Sequence, residues 1–141
     1  MMFSKILAPI DLAEPGMTSR AVGYAEALAN AFDADIRLVN VQSLTPIAGL
    51  DYTKEDFDEV IRRGLESELA AVASGLDRPP ERISTALLFG PVDQNILAEA
   101  ESWGSDVIVL CSHRPGVERF LIGSNASAIV KRATCPVLVL R

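Results

Sequence analysis

Asp106-Val107-Ile108-Val109-Leu110-Cys111-Ser112-His113-Arg114-Pro115-Gly116, followed by Gly123-Ser124-Asn125, decides the fold. Asp106 leads into a continuous apolar run, which suits a strand buried on both faces. From Ala126 to Ala133 the pattern turns helical. The stretch therefore reads as strand, loop and helix start. At such a junction the first N–H groups of the helix lack partners within it, and an anion can be held there. Arg114 brings charge, Gly123 permits close backbone approach, and Ser124 and Asn125 are caps or donors.

Outward from this stretch, the same grammar repeats. Lys5 to Ile10 reads as a short buried strand ending at Asp11. Leu12 to Gly16 reads as a loop, with Pro15-Gly16 as its turn signal. Thr18 or Ser19 is expected to cap a helix to about Phe32, with Val22, Ala25, Leu28 and Ala29 facing inward. Asp35 to Val41 is a second strand and Gln42 to Tyr52 an irregular loop. A long helix is predicted from about Thr53 to Ser74, with Phe57, Val60, Ile61, Leu65, Leu69 and Val72 as its apolar stripe. Its acidic first turns need no cause beyond the helix dipole. Gly75 ends it. Arg82 to Phe89 is a third strand, stopped by Gly90. Pro91 is expected to open a helix to about Trp103, with Ile96, Leu97 and Ala100 inward. Asp106 to Cys111 is the fourth strand, Gly123-Ser124 opens the last helix, and Pro136 to Leu140 is a fifth strand. The order predicts one α/β domain over residues 1–141. It should be an open five-stranded parallel sheet, Rossmann-like, with helices on both faces. Ligands of such sheets bind outside the strand carboxyl ends, where strand order reverses. Asp11, Val41, Gly90 and Cys111 to Arg114 all fall at strand carboxyl ends.

Composition bounds the chemistry. With 141 residues, one core of ordinary size can form, and 49% hydrophobic content with 6% aromatics is that of an aliphatic α/β core. The net charge of −6 argues against nucleic acid as a partner. Cys111 and Cys135 form neither a disulfide framework nor a metal motif, and read as small buried hydrophobes. The apolar start is broken by Lys5 and Pro9 and ended by Asp11, too soon for a signal peptide, so a cytoplasmic location is expected.

Missing motifs narrow the function. There is no G-x-x-x-x-G-K-[ST] and no G-x-G-x-x-G after the first strand. The loop from Asp11 to Gly16 lacks the hydroxyls of a flavodoxin phosphate loop. The third strand ends in Phe89-Gly90, where a phospho-receiver needs its acceptor Asp. His113 is the only histidine, and its neighbour Ser112 points another way, so a hydrolytic triad cannot be assembled. An adenylate-forming or nucleotidyl-transferring enzyme would need His-x-x-His or a Lys-rich loop.

Ile6-Leu7-Ala8-Pro9-Ile10-Asp11, the Asp106–Cys111 strand and the tail from Gly123 to Arg141 together resemble the universal stress protein family over essentially the whole chain. The Ser112-His113-Arg114-Pro115 run is similar to the branch often called F/G-type. The family's ATP-binding members carry G-x-x-G, nine residues, then G-[ST]. Here Cys111 and Arg114 stand at the first two glycines, eight residues separate Arg114 from Gly123, and Gly123-Ser124 is intact.

The resemblance implies an adenine-nucleotide α-hydrolase-like fold, a homodimer, and a cytoplasmic stress-response regulator that binds ATP and hydrolyses it slowly at most. It places Pro9, Ile10 and Asp11 at the ribose or adenine edge, and Val41 against adenine. Leu110 and Cys111 line the ribose side. Ser112, His113, Arg114, Gly123, Ser124 and Asn125 hold the phosphates, with Mg²⁺ carried on the nucleotide rather than by protein ligands. The two missing glycines remove the close backbone approach to phosphate, and Arg114 would compensate by pairing directly with a phosphate oxygen. Plainer readings stand beside these: Asp11 as a turn residue, Gly123-Ser124-Asn125 as a cap only, Arg114 as a surface cation, Val41 as core. The alternative function is a nucleotide-free, dimeric interaction module of the same fold, paired through the last strand.

Overall fold

A computed structural model describes residues 2–43, 54–112 and 124–141, with side chains from residue 59 onward in the second segment. The elements are β1 (Lys5–Pro9), α1 (Pro15–Phe32), β2 (Asp35–Gln42), α2 (Lys54–Ser74), a 3₁₀ turn (Pro80–Arg82), β3 (Ile83–Phe89), α3 (Val92–Trp103), β4 (Val107–Cys111), α4 (Ser124–Arg132) and β5 (Val137–Leu140). All strand pairs are parallel and the sheet order is β3-β2-β1-β4-β5. The chain thus builds outward from β1 through β2 to β3, returns, and builds the other way through β4 to β5. The reversal lies between β1 and β4, where Ile6 faces Val107 and Leu7 faces Ile108.

Strand alternation divides the apolar residues between two cores. Ile6, Ala8, Ile36, Leu38, Val107 and Val109 point to one face, where Ala25 and Ala29 of α1 and Leu69 of α2 cover them. Leu7, Val39, Ile108 and Leu110 point to the other, against Ile96 and Ala100 of α3 and Ala126 and Ile129 of α4. Small alanines on α1 let the helix approach the sheet closely, and Ala21, Ala25 and Ala29 are almost completely buried.

The amino ends of the central strands are locked by Asp106. Its Oδ2 accepts the Ser4 N–H at 2.7 Å, the Ser4 hydroxyl at 2.6 Å and the Lys5 N–H at 2.9 Å. The Ser4 hydroxyl, aided by the two amides and the Lys5 charge, holds this carboxyl below its usual pKa, against the opposing cost of burial. Nearby, the guanidinium of Arg37 stacks 4.7 Å from the Trp103 ring and pairs with Glu99 at 2.7 Å. These contacts secure the end of the sheet away from the strand carboxyl ends.

Several boundaries differ from expectation for identifiable reasons. α1 begins at Pro15, not at Thr18 or Ser19. Proline's fixed φ and missing N–H suit a first helical turn as well as a loop. Thr18 is no cap: it lies inside the helix and its hydroxyl donates to the Asp11 carbonyl. Conversely Pro91, with φ −60 and ψ 130, stays just outside α3. Arg82 belongs to the 3₁₀ turn, so β3 starts one residue later.

Along α2, Val60 is 70% exposed and Ile61 40% exposed, although both fall on the expected apolar stripe. A helix of 21 residues is about 31 Å long, whereas the seven-residue β3 beneath it spans about 23 Å. Helix periodicity continues where the supporting sheet has ended. Burial resumes further along, at Leu69 of α2 and at Leu76 just past its end.

Candidate functional site

The carboxyl ends of β1, β2 and β4 open into a cleft of about 750 Å³. It lies where strand order reverses, in the size range of a site for a small organic ligand. Pro9, Ile10, Val41, Leu110 and Cys111 form its strand-end wall. The β1–α1 loop adds Asp11, Leu12 and Ala13, α2 adds Leu65 and Glu68, and α4 adds Asn125, Ala126 and Ile129.

Asp11 is held by its own turn. Its Oδ1 accepts the Ala13 N–H at 2.9 Å, and its carbonyl accepts the Glu14 N–H at 3.1 Å as well as the Thr18 hydroxyl. This side-chain-closed turn fixes the carboxylate at the cleft mouth. It leaves Oδ2 with no hydrogen bond to another described residue. Such an oriented, exposed carboxylate can accept from a hydroxyl or an amine.

On β2 the ladder to β1 ends with the Ile10 N–H donating to the Val39 carbonyl at 2.8 Å. In a parallel ladder the Val41 N–H would next donate to the Ile10 carbonyl. Instead Asn40 Nδ2 donates to that carbonyl at 3.0 Å, and Asn40 Oδ1 accepts from Gln42 Nε2 at 2.6 Å. Asn40 is 2% exposed. Val41 therefore stands beyond the last rung to β1, and it lines the cleft. Gly90 closes the other side of this strand end, donating its N–H to the Gln42 carbonyl at 2.9 Å. Its φ of +123 is one that side-chain-bearing residues rarely adopt.

Cys111 is half-buried at the cleft, and its thiol lies 3.5 Å from the Met17 carbonyl. Burial pushes its pKa up, with the Arg20 charge and a backbone hydrogen bond to Ala21 pulling partly back. Cys135 is also only partly buried. Neither cysteine is the fully buried small hydrophobe that composition suggested.

Of the residues expected at the site, Pro9, Ile10, Asp11, Val41, Leu110, Cys111 and Asn125 converge on the cleft. Ser112 does not: its N–H and hydroxyl both turn to the Leu140 carbonyl, at 3.0 and 3.3 Å, and extend the β4–β5 ladder. Ser124 opens α4 but is absent from the cleft lining. His113, Arg114 and Gly123 lie outside the described residues. Asn40, Gln42 and Glu68 line the cleft without having been singled out from the sequence. A polar Asn inside Ile36-Arg37-Leu38-Val39-Asn40-Val41 was the available signal, since a buried strand keeps such a residue only with partners.

Sheet order, parallel pairing and a cleft at the reversal define a Rossmann-like α/β domain. The family model described as "Universal stress protein family" matches residues 2–141. Universal stress protein G of Escherichia coli O157:H7 is 34% identical, over 99% of this chain and 100% of its own length. Among solved structures, universal stress protein UspA from Lactobacillus plantarum superposes with a TM-score of 0.73 at 21% identity, covering 99% of this chain and 98% of that one. The universal stress protein from Archaeoglobus fulgidus in complex with dAMP superposes with a TM-score of 0.63 at 19% identity, covering 100% of each chain. The chain belongs to the universal stress protein family.

Proposed function

We propose that this protein is a cytoplasmic stress-response regulator that binds ATP in the cleft between β1, β2 and β4. The observation that carries the reading is the convergence of Asp11, Val41, Cys111 and Asn125 on one cleft at the strand reversal. The neighbour solved with dAMP shares this fold. In this reading adenine lies against Val41, whose peptide groups meet the base edge, and Asp11 accepts from the ribose. The phosphates run toward the start of α4, where Asn125 and the helix dipole favour negative charge.

The charged side chains lining the cleft among the described residues are Asp11 and Glu68, both acidic. A bare triphosphate would meet repulsion from them. Mg²⁺ on the phosphates suits this oxygen-rich, acidic surround and would lower that repulsion. Binding is the activity; hydrolysis, if any, is slow. Dimerisation is proposed through β5, an edge strand with Leu138 36% exposed.

The test is calorimetric titration of the purified protein with ATP and Mg²⁺. Saturable binding at one site per chain is expected, and no heat up to millimolar nucleotide would exclude the reading. The alternative, a nucleotide-free dimeric module, is favoured by one feature: Cys111 replaces a glycine and its thiol is tied to Met17. Adenine nucleotide retained through native purification would count against that alternative.

A further inference from the structure

Asn40 and Gln42 point from the same face of β2, two residues apart, and both line the cleft. Their amides are not interchangeable end for end. Only a nitrogen can donate to the Ile10 carbonyl, so Asn40 presents Nδ2 there at 3.0 Å. Its Oδ1 is thereby turned to Gln42, which must donate through Nε2 at 2.6 Å. Gln42 Oε1 is left as the acceptor, with no hydrogen bond to another described residue. Rotating the Gln42 amide would set its oxygen against Asn40 Oδ1. Rotating both would set Asn40 Oδ1 against the Ile10 carbonyl. Each alternative opposes two acceptors beside a buried side chain, where an unmet polar group is costly.

We propose that this relay fixes Gln42 Oε1 as the acceptor that selects a base bearing an exocyclic amine over one bearing a carbonyl at the same position. The proposal rests on the nucleotide reading above and adds to it the group that tells aminopurine from oxopurine. Adenine's amine donates to a fixed acceptor. Hypoxanthine would bring a carbonyl oxygen against Oε1, and the amide could not turn to greet it. Gln42 touches the ligand in this account, while Asn40 is a positioning residue acting through Gln42.

The experiment measures dissociation constants of ATP and inosine triphosphate, each with Mg²⁺, for the wild type, Gln42→Met and Asn40→Ala. The wild type is expected to prefer ATP by about tenfold or more. Gln42→Met should shrink that ratio roughly three- to tenfold, mainly by weakening ATP. Asn40→Ala should shrink it too, although Gln42 is still present, because the amide is then free to rotate. A merely structural role for Asn40 would weaken both nucleotides alike and leave the ratio unchanged. A ratio unchanged in Gln42→Met, with ATP still bound by the wild type, overturns the proposal and leaves the nucleotide reading standing. Failure of the wild type to bind either nucleotide overturns both. If Asn40→Ala does not fold, as judged by circular dichroism, Gln42→Met decides alone, since Gln42 is only partly buried.

Discussion

The side chain of Asn40 donates to the main-chain carbonyl of Ile10 at 3.0 Å, taking the position that the next rung of the β1–β2 ladder would fill. The two strands therefore part company at the cleft. One buried amide ends the pairing and leaves Val41, which lines the cleft, beyond the last rung to β1. Replacing Asn40 by Val keeps the bulk and the strand preference but removes the donor. The Ile10 carbonyl, belonging to a residue 7% exposed, would lose its side-chain partner. Asn40→Val is expected to lower unfolding free energy by about 1–3 kcal/mol in urea denaturation. A change below about 0.5 kcal/mol would show that the Val41 N–H simply takes over, restoring the rung.

Asp106 makes stability depend on acid in a definite direction. Its folded pKa lies below the ordinary carboxylate value because the Ser4 hydroxyl, with the Ser4 and Lys5 amides, favours the charged form. The stabilisation is complete above the unfolded value of about 3.9 and is lost as pH falls through the lower folded value. Asp106→Asn should cost about 1–3 kcal/mol at pH 7, a deficit that shrinks below about pH 4. Urea midpoints of both proteins across pH 2.5–7 check this. A deficit independent of pH would contradict the assigned role.

Much of the fold was legible because each element carries its own period. The strands β1 and β4 are nearly uninterrupted aliphatic runs, and that alone demands helices on both faces. Ile96 and Ala100 lie at helical spacing and are buried as expected. The boundaries that shifted are those where one residue serves two structures: Pro15 suits a turn or a first helical turn, and Pro91 a first turn or the position before it. Val60 and Ile61 were misread because periodicity records what a helix could bury, not how far the sheet beneath it extends.

The site was legible in part, and for a different reason. Asp11, Val41 and Cys111 are at strand ends, and topology brings strand ends together. Asn40 and Gln42 were missed because their role depends on one another and on the Ile10 carbonyl, a long-range arrangement that no local pattern records. Ser112 turns to β5, because a residue at the end of β4 can face the cleft or the neighbouring strand and the Leu140 carbonyl takes both its N–H and its hydroxyl.

Cys111 gives a chemical probe of the cleft. Its thiol is held protonated by burial, so fewer thiolates are present at pH 8 than in the unfolded chain. Alkylation by iodoacetamide, followed at this residue by peptide mass spectrometry, should be several-fold slower in the folded protein, and slower again with ATP and Mg²⁺ bound. A rate equal to that of the denatured chain, unaffected by nucleotide, would remove Cys111 from the cleft wall.

Trp103, the only tryptophan, stacks with Arg37 and Lys5 at the end of the sheet away from the cleft. Its emission is expected to change little when the cleft is filled. A direct thermal measurement is therefore the better readout of binding than intrinsic fluorescence. A large shift in Trp103 emission on adding nucleotide would place the ligand elsewhere or couple the two ends of the sheet.

The central claim is that the cleft at the β1–β4 reversal holds an adenine nucleotide. Isothermal titration with ATP and Mg²⁺, run in parallel on the wild type and Val41→Pro, tests it most directly. Proline removes the Val41 N–H that would meet the base. The wild type is expected to bind one nucleotide per chain, and the variant to bind at least tenfold more weakly while retaining its fold by circular dichroism. Absence of heat in the wild type up to millimolar ATP, or undiminished affinity in a folded Val41→Pro, would contradict the account.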